Sequence, residues 1–262
     1  MTNSENNQVV ETLKDDIQRH VALTLGSDPY PPRQWQYYLG LCYSMRDRLL
    51  GRWLETQRSY YDSIAKRVYY MSLEFLPGRF LMNYIQALGL ENECREAVRD
   101  FGLELDELLE EEWNPGLGNG GLGRLASCYM DSMASCKIPG YGYGILYDYG
   151  IFYQTIVNGY QNEGCDNWLR QDSPWVLRRG NFMYRISYYG RSEAYKDSAG
   201  EERFRWVDTE SVMAMACDIM VPGHMNGHVT NMRLWRAIST RDFELEQFNR
   251  GDYIGAVQSK VE

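Results

Sequence analysis

Five glycines (Gly116, Gly118, Gly120, Gly121, Gly123) crowd the stretch from Asn114 to Asp131, NPGLGNGGLGRLASCYMD, and an amphipathic helical pattern starts directly after them. Glycine-rich backbone can turn its N–H groups toward one point, and a helix start carries unpaired donors with a partial positive charge. Together they predict a cradle for an anion, most often a phosphate. Gly118-Asn119-Gly120-Gly121-Leu122-Gly123 formally satisfies G-x-G-x-x-G. That dinucleotide fingerprint needs a strand immediately before it and an acidic residue about 20 residues on. Here an acidic run and Asn114-Pro115 precede it, and the region near Tyr143 offers only Asp148. The context argues against a dehydrogenase. A purely structural loop, with glycines for tight helix packing, stays open as the alternative.

Other residues that could do chemistry are sparser. Glu74 follows the short apolar run Val68–Leu73 and precedes Phe75-Leu76-Pro77-Gly78-Arg79. A carboxylate at the C-terminal edge of a buried strand faces the usual ligand crevice of an α/β sheet. A salt bridge to Arg79 or Arg124 is the structural alternative. His224 and His228 have i, i+4 spacing, but Gly227 lies between them and Pro222-Gly223 precedes them. They read as loop residues, and no metal site is expected. Trp53, Gln57 and Tyr61 recur every fourth residue and share a helix face. Core or subunit contact is the plain reading of that face; a stacked base is the sharper one.

The elements that must position these residues follow from periodicity. Residues 11–25 have helical spacing (Leu13, Ile17, His20, Val21, Thr24) and stop at Gly26-Ser27-Asp28-Pro29. A longer helix after Pro32 is predicted to about Tyr61, with Trp35, Tyr38, Leu39, Cys42, Met45, Leu49, Leu50 and Trp53 at i, i+3, i+4 positions. Val68–Leu73 reads as a buried strand ending at Glu74. Helices are expected after Pro77-Gly78 to Gly89, over 91–100 and over 104–112. The last of these, ELDELLEEE, reads as a solvated face. The glycine loop opens a helix from Leu122 to about Lys137, with Leu122, Leu125, Ala126, Tyr129, Met130 and Met133 on one face. From Tyr141 to about Ile238, alternating aromatic runs such as Phe182–Tyr188 read as strands between Gly, Asn and Pro turns. Residues 252–262 turn helical again. Helices, one strand, helices and then many strands indicate an α/β unit carrying an extended sheet.

Composition narrows the class. The 262 residues are 44% hydrophobic and 24% charged, and can bury a sizeable core. No apolar run approaches the ~20 residues of a membrane span, and the polar, acidic N-terminus resembles no signal or transit peptide. A net charge of −9 with no lysine–arginine block argues against nucleic-acid binding. Six scattered cysteines without a C-x-x-C pair suggest reduced thiols and a cytoplasmic location. The 21 tyrosines and 7 tryptophans suit a sugar-handling surface or a sheet-rich core.

Several motifs together resemble the α-glucan (glycogen, starch, maltodextrin) phosphorylases. They are Tyr69-Tyr70-Met71-Ser72-Leu73-Glu74-Phe75, Gly118 to Leu125, Tyr141-Gly142-Tyr143-Gly144, Tyr149-Gly150-Ile151-Phe152, Asp166-Asn167-Trp168-Leu169-Arg170 and Phe248-Asn249. The similarity runs in order from about Asp28 to the last residue. It implies an α/β fold: the N-terminal, Rossmann-like half of a two-domain glycosyltransferase (GT-B-like) fold with an extended mixed sheet. It divides the chain into a helical region 1–66, strand, helices and glycine-loop helix over 67–140, a strand-rich region 141–250 and the start of a helix over 251–262. The implied activity is that of a pyridoxal 5′-phosphate enzyme, active on an α-1,4-glucan and orthophosphate and yielding glucose 1-phosphate. Carried over, Gly120, Gly121 and Leu122 are backbone donors to phosphate and the glucosyl unit, with Asn119 beside them. Glu74 matches the active-site carboxylate. Leu76 stands where some members place a tyrosine against the cofactor, which puts that ring contact in question.

The departures shape the remaining expectations. The resemblance places the cofactor's attachment lysine in a second, C-terminal domain, and no lysine here sits in a matching motif. The chain therefore reads as truncated, or as one half of a split or frameshifted gene, inactive alone and homodimeric when complete. A noncatalytic glucan-binding or dimerisation fragment is the alternative. Trp53, Gln57 and Tyr61 match the nucleotide-effector face of animal enzymes. Glu55, however, stands where those use an arginine to grip a phosphoserine, and a carboxylate there repels that anion. Ser4 lacks a basic motif around it, so no phosphoserine switch is expected.

Overall fold

The computed structural model describes residues 3–28, 31, 33–170 and 173–238. The Phe248-Asn249 motif and the helix expected over 252–262 lie outside the described residues. The described chain divides into two compact units, Met1–Leu177 with Asp218–Leu234, and Arg178–Cys217 with Trp235 onward.

The first unit begins with α1 (Asn3–Arg19), which continues as a π-helical turn over His20–Thr24. The helix thus starts earlier than its apolar spacing suggests. Leu13, Ile17, His20 and Val21 are buried as expected, while Thr24 is exposed. The long α2 (Gln34–Asp62) crosses α1 closely: a Cβ on Gly40 would lie 2.9 Å from the Ile17 carbonyl, so only glycine fits there. Tyr38, Cys42, Met45 and Leu49 are buried, but Trp35 is not. After β1 (Val68–Met71) come α3 (Leu81–Leu88), α4 (Glu91–Arg99) and α5 (Leu105–Glu110). Leu81, Ile85, Cys94, Ala97, Val98, Leu105 and Leu108 complete the helical core with α1 and α2.

Two expectations fail here for identifiable reasons. The strand before Glu74 is not buried: Val68, Tyr69, Met71 and Leu73 are all exposed. It is the edge of its sheet, paired only with the parallel β2 (Gly140–Ile145) in the register Val68↔Gly140 to Met71↔Tyr143. The acidic run is not wholly solvated either. Glu112 is 3% exposed, and its carboxylate accepts from the N–H groups of Phe80 (2.8 Å) and Leu81 (2.9 Å) at the start of α3, and from Trp175 Nε1 (2.8 Å). It supplies acceptors where that helix start has none of its own.

The glycine loop leads into α6 (Gly121–Ser135). Its buried face is Gly123, Ala126, Ser127, Met130 and Ala134, whereas Leu122, Leu125 and Tyr129 are exposed. The predicted apolar face is therefore rotated toward smaller residues. Close approach explains it: a Cβ on Gly142 of β2 would already lie 3.1 Å from the Met130 sulfur. The hairpin β3 (Tyr153–Val157) and β4 (Tyr160–Gly164) follows. Beyond it are β5 (Leu177–Tyr188), β6 (Arg191–Lys196), β7 (Glu202–Val207), β8 (Glu210–Pro222) and β9 (Val229–Ile238). Within the first unit the strand order is β1-β2-β9-β8; in the second, β5 flanks β8, and β6 and β7 form a separate antiparallel hairpin. Parallel β1–β2 beside antiparallel hairpins makes this a mixed α/β fold. The strand-rich stretch after Tyr141 is as the alternation predicts. The cysteines form no disulfide, and no described helix is long and apolar enough to cross a membrane.

Candidate functional site

The glycine loop and the segment after β1 are zipped together. Phe75 and Leu117 form an antiparallel bridge, with the Phe75 N–H donating to the Leu117 carbonyl at 2.9 Å. The Leu76 N–H donates to the Gly123 carbonyl at 3.0 Å. Arg124 adds a clamp, its Nη1 donating to the carbonyls of Leu76 (3.2 Å) and Pro77 (3.0 Å). Ser72 Oγ donates to the Glu74 carbonyl at 2.7 Å. Each bond satisfies a loop backbone group that would otherwise need water.

Glu74 is at the centre of this zipper. Its Oε1 accepts from Asn119 Nδ2 at 2.9 Å and its Oε2 from the Asn119 backbone N–H at 3.2 Å. The salt-bridge alternative is not what forms: Arg79 pairs with Glu110, and Arg124 is engaged with the two carbonyls. The structure thus brings Glu74, Asn119 and the loop together as one assembly.

Within the loop the glycines fall into two kinds. A Cβ on Gly118 would lie 2.9 Å from Glu74 Cβ, and one on Gly123 would lie 3.0 Å from it, so these two are glycine because Glu74 and Leu76 pack against them. A Cβ on Gly120 or Gly121 would meet nothing within 4 Å. No packing inside the chain requires glycine at those two positions. Gly120 is the N-cap of α6, no side chain caps that helix, and Leu122 in its first turn is exposed. Gly120, Gly121 and Leu122 are all exposed at this helix start, whose first-turn N–H groups have no side-chain cap.

Trp53, Gln57 and Tyr61 do share a face of α2, but most of their polar groups are engaged inside the chain. Trp53 Nε1 donates to Asn231 Oδ1 at 3.4 Å, and Gln57 Oε1 accepts the Tyr141 hydroxyl. Tyr61 is 68% exposed, with the Arg67 guanidinium 4.8 Å from its ring centroid. Glu55 is exposed on the same helix. Below them, Asn231 Nδ2 and the Arg233 guanidinium all donate to the buried Asp218 carboxylate.

His224 and His228 sit in and beside the β8–β9 turn, as read. His228 is bound to the Tyr60 hydroxyl at 2.6 Å, and burial holds its pKa below the ordinary value. Among the described residues no group of three or more potential ligands is placed for a metal ion. A cavity of about 50 Å³ beside Glu112 and Trp175 has room for a water or two but not a sugar.

Sequence reading missed the Arg124 clamp and the Glu112 cap. Arg124 directly follows the glycine run, which was a usable signal. For Glu112, nothing local separated one buried carboxylate from its solvated neighbours.

Comparison with known proteins adds an independent finding. The family model for carbohydrate phosphorylases matches residues 98–262. The liver form of human glycogen phosphorylase is 48% identical over 248 residues, covering 95% of this chain and 29% of the relative. The bovine brain form and the sheep muscle form of glycogen phosphorylase are also 48% identical, with the same coverage. The chain therefore spans about 29% of the length of these relatives.

Proposed function

This chain belongs to the carbohydrate phosphorylase family, and on that premise we propose that it contributes the glycine-rich wall of an α-1,4-glucan phosphorylase site. In that reaction the bond from C1 of the terminal glucosyl unit to the chain oxygen breaks and a bond from C1 to orthophosphate oxygen forms. The departing oxygen takes a proton, and the product is glucose 1-phosphate. The observation that carries the reading is the pair Gly120 and Gly121, which open to solvent at an uncapped helix start.

These positions fit a phosphate. The N–H groups of Gly120, Gly121 and Leu122 would hold a phosphate oxygen or the glucosyl unit, and the absence of Cβ atoms at the first two lets a ligand approach the backbone closely. Fixed donors of this kind favour developing charge without reorganising. Glu74 keeps Asn119 and the loop in register, so its first role is positioning. When bound at such a cradle, pyridoxal 5′-phosphate would supply a second phosphate anion. In this reading its attachment lysine is not among these residues and the chain alone does not turn over. The face of Trp53, Gln57 and Tyr61 remains a proposed effector surface, with the Tyr61 ring its most accessible part.

The test is a chimera in which these residues replace the matching segment of the human liver enzyme. The chimera is expected to release glucose 1-phosphate from glycogen in the presence of orthophosphate, and the chain alone is not. A folded, cofactor-loaded chimera without that activity would contradict the reading. Activity in the isolated chain would contradict the claim that it needs the remainder.

A further inference from the structure

We infer that Trp113 and Tyr153 form an accessory stacking platform for an α-glucan chain, set beside the glycine loop. The inference rests on the phosphorylase reading above and names a surface through which polymeric substrate is held. The two rings lie 5.4 Å apart between centroids with planes 25° from parallel. Trp113 is 50% exposed and Tyr153 48% exposed, so a large share of the stacked pair faces solvent.

The stack is fixed from beneath. Trp113 Nε1 donates to Asp166 Oδ1 at 2.7 Å, and Asp166 itself is 5% exposed. The Gly150 N–H donates to the Asp166 carbonyl at 2.9 Å, and the space a Cβ would need at Gly150 is filled by the Asp166 carboxylate. The indole N–H is thus satisfied internally while the ring remains open, an arrangement that costs little further ordering when a ligand stacks on it.

The adjoining hairpin continues the surface. Its register pairs Tyr153 with Gly164, Thr155 with Asn162 and Val157 with Tyr160, and strand alternation puts these six on one face. That face carries no charged side chain. It has a tyrosine ring at each end, Tyr160 being 79% exposed, with the Thr155 hydroxyl and the Asn162 amide between them. Uncharged rings interleaved with hydroxyl and amide groups complement a neutral ligand that has both C–H faces and hydroxyls. A polyanion finds no cation there, and the chain's net charge of −9 opposes it.

Proximity ties the platform to the cradle. Trp113 is five residues from Gly118, a span of at most about 18 Å of extended chain. The Ile151 N–H also donates to the Gly116 carbonyl at 3.1 Å, fixing the approach to β3 against the stem of the loop. The platform and the stem of the loop are therefore held close together.

The test measures retardation of the chain in native gels containing glycogen, with dextran as the control polymer. Trp113→Ala and Tyr153→Ala are each expected to weaken glycogen binding about tenfold, and Tyr153→Phe, which keeps the ring, to retain it. Tyr160→Ala, at an open position with little packing to lose, guards against a folding artefact and is expected to weaken binding several-fold; circular dichroism checks each variant. Unchanged binding in Trp113→Ala and Tyr160→Ala, equal retardation by dextran, or no retardation of the parent chain would overturn the platform. An inactive chimera alongside ring-dependent glycogen binding would instead remove the phosphorylase reading and leave the platform standing.

Discussion

The start of α6 and the middle of α2 both present residues suited to a ligand, yet they are built in opposite ways. At α6 every supporting group is engaged and the candidate donors are left open: Glu74 holds Asn119, Arg124 holds the Leu76 and Pro77 carbonyls, and Gly120 and Gly121 face open space. At α2 Trp53 is on Asn231 and Gln57 Oε1 on Tyr141, while Gln57 Nε2 is buried without a hydrogen-bond partner. A site needs held scaffolding and unspent donors together. The loop has both, whereas α2 leaves mainly the Tyr61 ring accessible.

The difference can be broken most forcefully at the packed glycines. Gly118→Val places a Cβ 2.9 Å from Glu74 Cβ and is expected to destabilise the chain by about 3 kcal/mol, read by chemical denaturation. A loss below about 0.5 kcal/mol would mean that the zipper is loose. Glu74→Ala removes both acceptors of the Asn119 donors, and about 1–2 kcal/mol of stability should go with the two bonds. On α2, Gln57→Leu leaves the Tyr141 hydroxyl without its acceptor and should cost about 1 kcal/mol. An unchanged midpoint would show that the bond to Tyr141 only offsets the cost of the buried, unpartnered Gln57 Nε2.

The smallest expected effect is on pH dependence near α2. Burial lowers the pKa of His228, and it does the same at His20, so the folded state takes up protons less readily than the unfolded chain. Their contribution is present above the ordinary histidine value of 6.5 and is lost as pH falls below it toward the depressed folded values. The thermal midpoint should fall over that range, and His228→Gln should flatten the slope. A midpoint that rises on acidification would reverse the assignment.

The residues of the candidate site were legible in the sequence, and much of their setting was not. Glycines crowded ahead of a helical pattern predict a loop at a helix start, which the structure has, and the anion cradle built on it is the proposal above. Which glycines are open and which are packed could not be read, since it depends on Glu74 and Leu76 from a distant segment. Val68–Leu73 has the composition of a buried strand, but its place at the sheet edge is decided by topology, which a local run does not encode. The face of α6 differs for a related reason: Gly123 packs against Glu74 and Leu76, and Met130 against Gly142 of β2, which turns Leu122 and Leu125 outward. Periodicity located the helices themselves well, apart from the early start of α1.

The most direct test uses Gly121→Val in the chimera, with turnover and denaturation midpoint measured on the same preparation. A Cβ at Gly121 meets nothing within the chain, so the midpoint should hold. The branched side chain would crowd the ligand's approach to the backbone donors, and kcat should fall about 100-fold, roughly 3 kcal/mol. Normal turnover with an unchanged midpoint would contradict the cradle.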